Sequence, residues 1–137
     1  KMYVGDTGLM VTLAFWDKGF TENVLYDKLL ADRLPANMGY IYENLAAQML
    51  RSNGNNLYFY TWAKDKRHNY EVDFLLSHGA KICPIEVKSA SYKSHVSLDT
   101  FCDKFSSRVD KRYVVCTKEL RHDGATTILP IYMLGLI

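Results

Sequence analysis

The sequence predicts an α/β or α+β domain with a mixed β-sheet and a helical N-terminal third. Two observations carry this expectation. Helix-period apolar patterning dominates the first 50 residues. After that, short apolar and aromatic runs recur, bounded by turn residues and interrupted by a single short helical stripe. At 137 residues, 48% hydrophobic and 23% charged, the chain suits one domain with a sizeable core.

The elements follow in order. Residues 6–15 alternate between helical and ambiguous patterning. Thr21 is placed to cap a helix over 23–30, and the LPAN stretch at 34–37 breaks it. In MGYIYENLAAQMLRSNG, Ile41, Leu45 and Met49 recur every four residues beside Tyr42 and Ala46, a helix stripe that Asn53-Gly54 stops. NLYFYTW at 56–62 is strand-like, and a charged turn at 63–69 follows it. Two further strands, 70–76 and 81–88, flank SHGA at 77–80 as a hairpin. Leu98, Phe101, Cys102 and Phe105 share one face of a short helix. KRYVVCT at 111–117 is a strand. ATTILPIYM at 125–133 is another, with Pro130 marking an edge or a bend.

Composition excludes several classes. Ten tyrosines and an ordinary apolar content argue against disorder over most of the chain. No apolar run approaches a membrane span, and no secretory signal is present. The net charge of +2 neither demands nor excludes a nucleic-acid partner. Two basic clusters, Lys64–Lys66–Arg67–His68 and Lys104–Arg108–Lys111–Arg112, read first as solvated loops. Cys83, Cys102 and Cys116 form no C-x-x-C pair, and the four histidines are scattered without zinc-ligand spacing. Such cysteine usage points to buried thiols in a reducing, cytoplasmic setting. The chain begins at a lysine and runs straight into MYVGDTGLMVTLAF, which reads as a piece of a longer protein.

The chemistry concentrates in EVDFLLSHGAKICPIEVKSA, residues 71–90. The simplest hairpin register sets Ser77 opposite Ala80, Asp73 opposite Pro84 and Glu71 opposite Glu86. Strict alternation then puts Glu71, Asp73, Glu86 and Lys88 on one face, and Val72, Phe74, Leu76, Cys83, Ile85 and Val87 on the other. Crowded carboxylates on a sheet repel and need compensation. A divalent cation supplies it. A solvated face whose acids pair with Lys88 and nearby basic groups is the other reading.

Asp73, then Glu86-Val87-Lys88 after a twelve-residue gap, resembles the PD-(D/E)XK nuclease signature. KMYVGDTGL, GYIYENLA, EVDFL and IEVKSA, in that order, resemble one branch of that superfamily. It is the uncharacterised domain found C-terminal to AAA-type ATPase modules in bacteria and archaea. The resemblance implies a restriction-endonuclease-like α/β fold, a mixed β-sheet flanked by helices. Residues 1–34 would be a helical segment linking to the ATPase module, and residues 35–137 the nuclease-like domain. It also implies that Glu43, Asp73 and Glu86 hold Mg²⁺ or Mn²⁺, with a backbone carbonyl from Ile85 or Val87, and that Lys88 activates water or binds the phosphate. Val72 stands where the superfamily name has proline, and Glu71 is an extra acid on the same predicted face. The activity so implied is Mg-dependent hydrolysis of DNA phosphodiesters, or DNA binding. The alternative is a non-catalytic nuclease-fold module for nucleic-acid binding, assembly or regulation of the ATPase. ATP would bind only in the N-terminal module, because this chain has no G-x-x-x-x-G-K-[ST] loop.

Overall fold

The computed structural model describes residues 1–15, 24, 27, 28, 31, 38–90 and 92–137. The expected helix over 23–30 with its Thr21 cap, and the break at 34–37, fall almost wholly outside the described residues.

Helix α1 (Thr7–Phe15) begins at Asp6, whose carboxylate accepts the Leu9 N–H at 2.8 Å. This is an ordinary N-cap. Its Val11 and Phe15 are buried against Ile41 of the next described helix, α2 (Met38–Ser52). The face that α2 buries is Ile41, Asn44, Ala46, Ala47 and Leu50. The expected stripe is therefore turned: Leu45 and Met49 are only half-buried, and a polar Asn44 takes a core position. The helix ends where the sequence says, with Gly54 at a φ of 82° that a side chain would strain.

Six strands form one sheet in the order β1-β2-β3-β4-β6-β5. They are β1 (Tyr58–Ala63), β2 (Asn69–His78), β3 (Lys81–Val87), β4 (Arg112–Cys116), β5 (Arg121–Asp123) and β6 (Thr126–Pro130). The first three strands are an antiparallel meander, and β3, β4 and β6 run parallel. Helix α3 (Val96–Lys104) makes the crossover from β3 to β4. The mixed α/β sheet was expected, whereas the three-residue β5 was not. Pro130 marks a bend: β6 stops there and a 3-10 helix (Ile131–Leu136) takes over.

Two cores sandwich the sheet. On one face, α2 and the 3-10 helix pack Ala46, Ala47, Leu50 and Leu134 onto Phe74, Leu76, Cys83, Ile85, Val115 and Leu129. On the other, α3 packs Leu98, Phe101 and Cys102 onto Val72, Val114, Cys116 and Ile128. Tyr60 and Trp62 of the aromatic run join this second core, stacked 5.4 Å apart beside Phe101. Core packing therefore accounts for them, while Tyr58 and Phe59 stay exposed.

Candidate functional site: an acidic cleft filled by a lysine

The hairpin register differs from the simplest one by two residues. Ser77 pairs with Ile82 and Phe74 with Ile85, so Asp73 lies one step beyond the last pair of the hairpin. A second difference matters more. Tyr58 pairs with Leu75 but Tyr60 pairs with Val72, so β2 spends three residues where β1 spends two. The extra residue is a β-bulge around Asp73–Phe74. It breaks the alternation on which the one-face reading rests. Phe74 packs on the α2 side and Val72 on the α3 side. The carboxylates of Asp73 and Glu71 turn to the α2 side, where they meet Glu43.

Glu43, Glu71 and Asp73 each bring a carboxylate oxygen within 4.8 Å of the other two. The Lys1 ammonium lies among them. It is 2.7 Å from Glu43 Oε1 and 3.0 Å from Asp73 Oδ1, and it is also in contact with Glu71 Oε1. Tyr3 donates its hydroxyl to Glu43 Oε1 at 2.7 Å. Asp73 Oδ2 accepts the Val87 N–H at 2.8 Å, which ties β2 to the end of β3. A cavity of about 440 Å³ opens beside the group, lined by Lys1, Tyr3, Met10, Tyr40, Glu43 and Glu71 among others.

Asn44 explains how Lys1 is delivered. Its side chain accepts the Val4 N–H at 2.8 Å and donates to the Val4 carbonyl and to Thr7 Oγ1, both at 3.0 Å. Gln48 accepts from the Thr7 N–H and hydroxyl. One face of α2 thus pins the segment ahead of α1. This is why a polar residue occupies a buried helix position: an extended backbone needs partners there.

Electrostatics follow the geometry. Burial opposes the charge on Lys1, but the hydrogen bonds it donates to Glu43 and Glu71 and the charge of Asp73 outweigh it and hold its pKa well above the ordinary lysine range. Burial raises the pKa of Asp73, against the opposing pull of the Val87 N–H and of Lys1. Burial and the hydrogen bond to Glu43 also push Tyr3 far up.

Glu86 and Lys88 stand apart from this group. Glu86 is buried on the α3 side, where its Oε2 accepts the Leu98 N–H in the first turn of α3 at 3.2 Å. Its Oε1 pairs with Lys88 Nζ at 2.5 Å. Of the four site residues that the resemblance implies, Glu43 and Asp73 converge, while Glu86 and Lys88 pair with each other. Glu71, whose role the sequence left open, is a full member of the acidic group. Lys1, Tyr3 and Asn44 were missed. The available signals were the lone lysine ahead of an apolar opening and the asparagine within a helix stripe.

Three carboxylates offer the hard oxygens that Mg²⁺ and Mn²⁺ prefer. The donor set therefore fits such an ion, on condition that the ammonium leaves. Glu86 faces the other side of the sheet, so a change of rotamer alone does not bring it to the group.

Fold and contacts together define a mixed α/β domain with an acidic cleft at the α2 side of a bulged hairpin. The chain belongs to the DUF4143 family, described as a domain of unknown function, whose profile matches residues 38–134. Glu43, Glu71, Asp73, Glu86 and Lys88 all fall inside that span, and Lys1 and Tyr3 lie outside it. No curated protein and no solved structure matches the chain. Among the described residues, no helix is long and apolar enough to cross a membrane.

Proposed function

We propose that this domain is a nuclease-fold module of the PD-(D/E)XK kind carried by an AAA-type ATPase, and that it binds DNA, or assembles with and regulates the ATPase, without cleaving phosphodiesters. One observation carries the reading. The Lys1 ammonium is bound to three carboxylates at once, and two of them, Glu43 and Asp73, belong to the set that the resemblance assigns to a divalent ion. A tethered cation offsets part of the acids' charge at no cost in ion concentration, but it lacks the open coordination positions on which metal-assisted hydrolysis depends. The pairing of Glu86 with Lys88 supports the same reading, since it occupies the group that would attend the phosphate.

Mg-dependent cleavage of DNA is the second reading, and one observation favours it. The Asp73 carboxylate reaches the end of β3, where it accepts the Val87 N–H next to Glu86. Withdrawal of Lys1 and a turn of the β3 end that brings Glu86 to the α2 side would let Glu43, Asp73 and Glu86 hold Mg²⁺ or Mn²⁺, with Lys88 beside them. The ion would there supply charge relief at the phosphoryl group and an activated water.

Calorimetric titration of Mn²⁺ and nicking of supercoiled plasmid in the same buffer separate the two. The non-cleaving reading expects weak Mn²⁺ binding by the parent, tighter binding by Lys1→Met, loss of that binding in Lys1→Met/Asp73→Asn, and no nicking by any of them. Nicking by the parent that disappears in Asp73→Asn and in Lys88→Ala would overturn it and establish a nuclease.

A further inference from the structure

We propose a second metal site, for a borderline divalent ion of the zinc class, built from His78, Cys83 and Asp110. It is separate from the acidic cleft. His78 lies five residues along β2 from Asp73, roughly 17 Å at the rise of an extended strand.

Sequence spacing gives no hint of it, because the fold alone brings the three residues together. The hairpin pairs Leu76 with Cys83 and His78 with Lys81, so His78 and Cys83 project from the same face on neighbouring strands. On the other side of β3, Ile82 bridges Val109 in parallel, and the Asp110 N–H donates to the Ile82 carbonyl at 3.0 Å. That bridge sets Asp110 beside Cys83. The result is one nitrogen, one sulfur and one oxygen donor from three adjacent chain segments, all within 4.8 Å of one another. His78 Nδ1 and Asp110 Oδ2 are already 2.5 Å apart.

The donor set decides the class of ion. Imidazole and thiolate are poor partners for Mg²⁺ or Ca²⁺ and good ones for Zn²⁺. Tetrahedral zinc takes such ligands at about 2.0–2.3 Å, which places donors roughly 3.3–3.8 Å apart. Side-chain rotation closes that gap on a backbone fixed by the sheet. Burial is graded in the way that entry requires. Cys83 is 6% exposed, while His78 and Asp110 reach solvent. The ion would sit between them with three protein ligands, its fourth position open to water. It would fasten the tip of the β2–β3 hairpin to the segment leading into β4.

Titration of metal-free protein with Co²⁺, followed in the near-ultraviolet and visible, tests the site. The expected result is a thiolate-to-cobalt charge-transfer band that Zn²⁺ abolishes on displacement. Cys83→Ser should remove the band. His78→Ala, at an exposed position that folding tolerates, should weaken binding by more than about tenfold, the least that loss of a supporting group costs a metal site. Cys102→Ser, Cys116→Ser and Asp73→Asn should leave the band unchanged. A cobalt spectrum without the band, or a band that survives in Cys83→Ser or binds equally well in His78→Ala, would overturn the proposal and leave an ion pair beside a buried thiol. Because Asp73→Asn disables the acidic cleft alone, failure here is distinguishable from failure of the nuclease-fold reading.

Discussion

Lys1 and Asp73 set the electrostatics of the cleft between them, each through the other. Asp73 loses solvation by burial, which raises its pKa above the ordinary 3.8, and Lys1 partly offsets that rise. The sign of the resulting pH dependence follows. A carboxyl whose pKa is raised in the folded state contributes stability that is full below its unfolded value and is lost as pH rises through its folded value. Lys1 is raised too, so its contribution is full below the ordinary lysine value of 10.5 and is lost only in strong alkali. Between pH 3.8 and neutrality, the slope from this pair therefore comes from Asp73. Carboxyl carbon NMR should place the Asp73 midpoint above 3.8, and Lys1→Met should move it further up. A midpoint at or below the ordinary value would mean that the Val87 N–H and Lys1 outweigh burial at Asp73. Asp73 was legible in the sequence because an acid in an apolar strand stands out. Lys1 was not, since its partners Glu43 and Asp73 lie 42 and 72 positions away.

At the scale of elements, the bulge in β2 separates what the sequence joins. Strict alternation puts Glu71, Asp73, Glu86 and Lys88 on one face. An extra residue near Asp73 sends the first two to α2 and leaves the last two with α3. No residue of EVDFLL announces the bulge, because glycine is absent and every side chain suits a regular strand. The turns and stops were easier to read, since Asn53-Gly54 and Pro130 act through their own backbones. The separation gives Glu86 a structural task. It is an anionic acceptor in the first turn of α3 and the partner of Lys88, whose side chain is 30% exposed. Glu86→Ala would leave the Leu98 N–H and the Lys88 ammonium without it. Partial exposure of Lys88 moderates the loss that a fully buried pair would suffer, so urea unfolding should register about 2 kcal/mol. Glu86→Gln keeps the acceptor and should recover part of this. A neutral effect of Glu86→Ala would release Glu86 from that structural task and favour its recruitment to the acidic group.

Over the whole molecule, one sheet serves two helical layers, and the two halves of the predicted site belong to different layers. Glu43 rides on α2 above one core, whereas Glu86 answers to α3 above the other. The layered architecture was readable from apolar periodicity, since burial on both faces leaves β3, β4 and β6 nearly continuous in apolar residues. Which layer each charge serves was not readable, because that depends on the bulge and on long-range pairing. Leu50 of α2 and Leu98 of α3 are both fully buried, one in each core. Truncation of either to alanine should cost about 2–5 kcal/mol in chemical denaturation. The two residues share no core cluster and sit on opposite sides of the sheet, so the double variant should be additive to within about 0.5 kcal/mol. Additivity would mean that the Lys1-filled cleft can be loosened through α2 while Glu86 and Lys88 stay held through α3. A coupling well beyond that margin would mean that the sheet transmits strain between its faces. Displacement of Lys1 on one side would then bear on the position of Glu86 on the other, the linkage that assembly of a four-residue catalytic group would require.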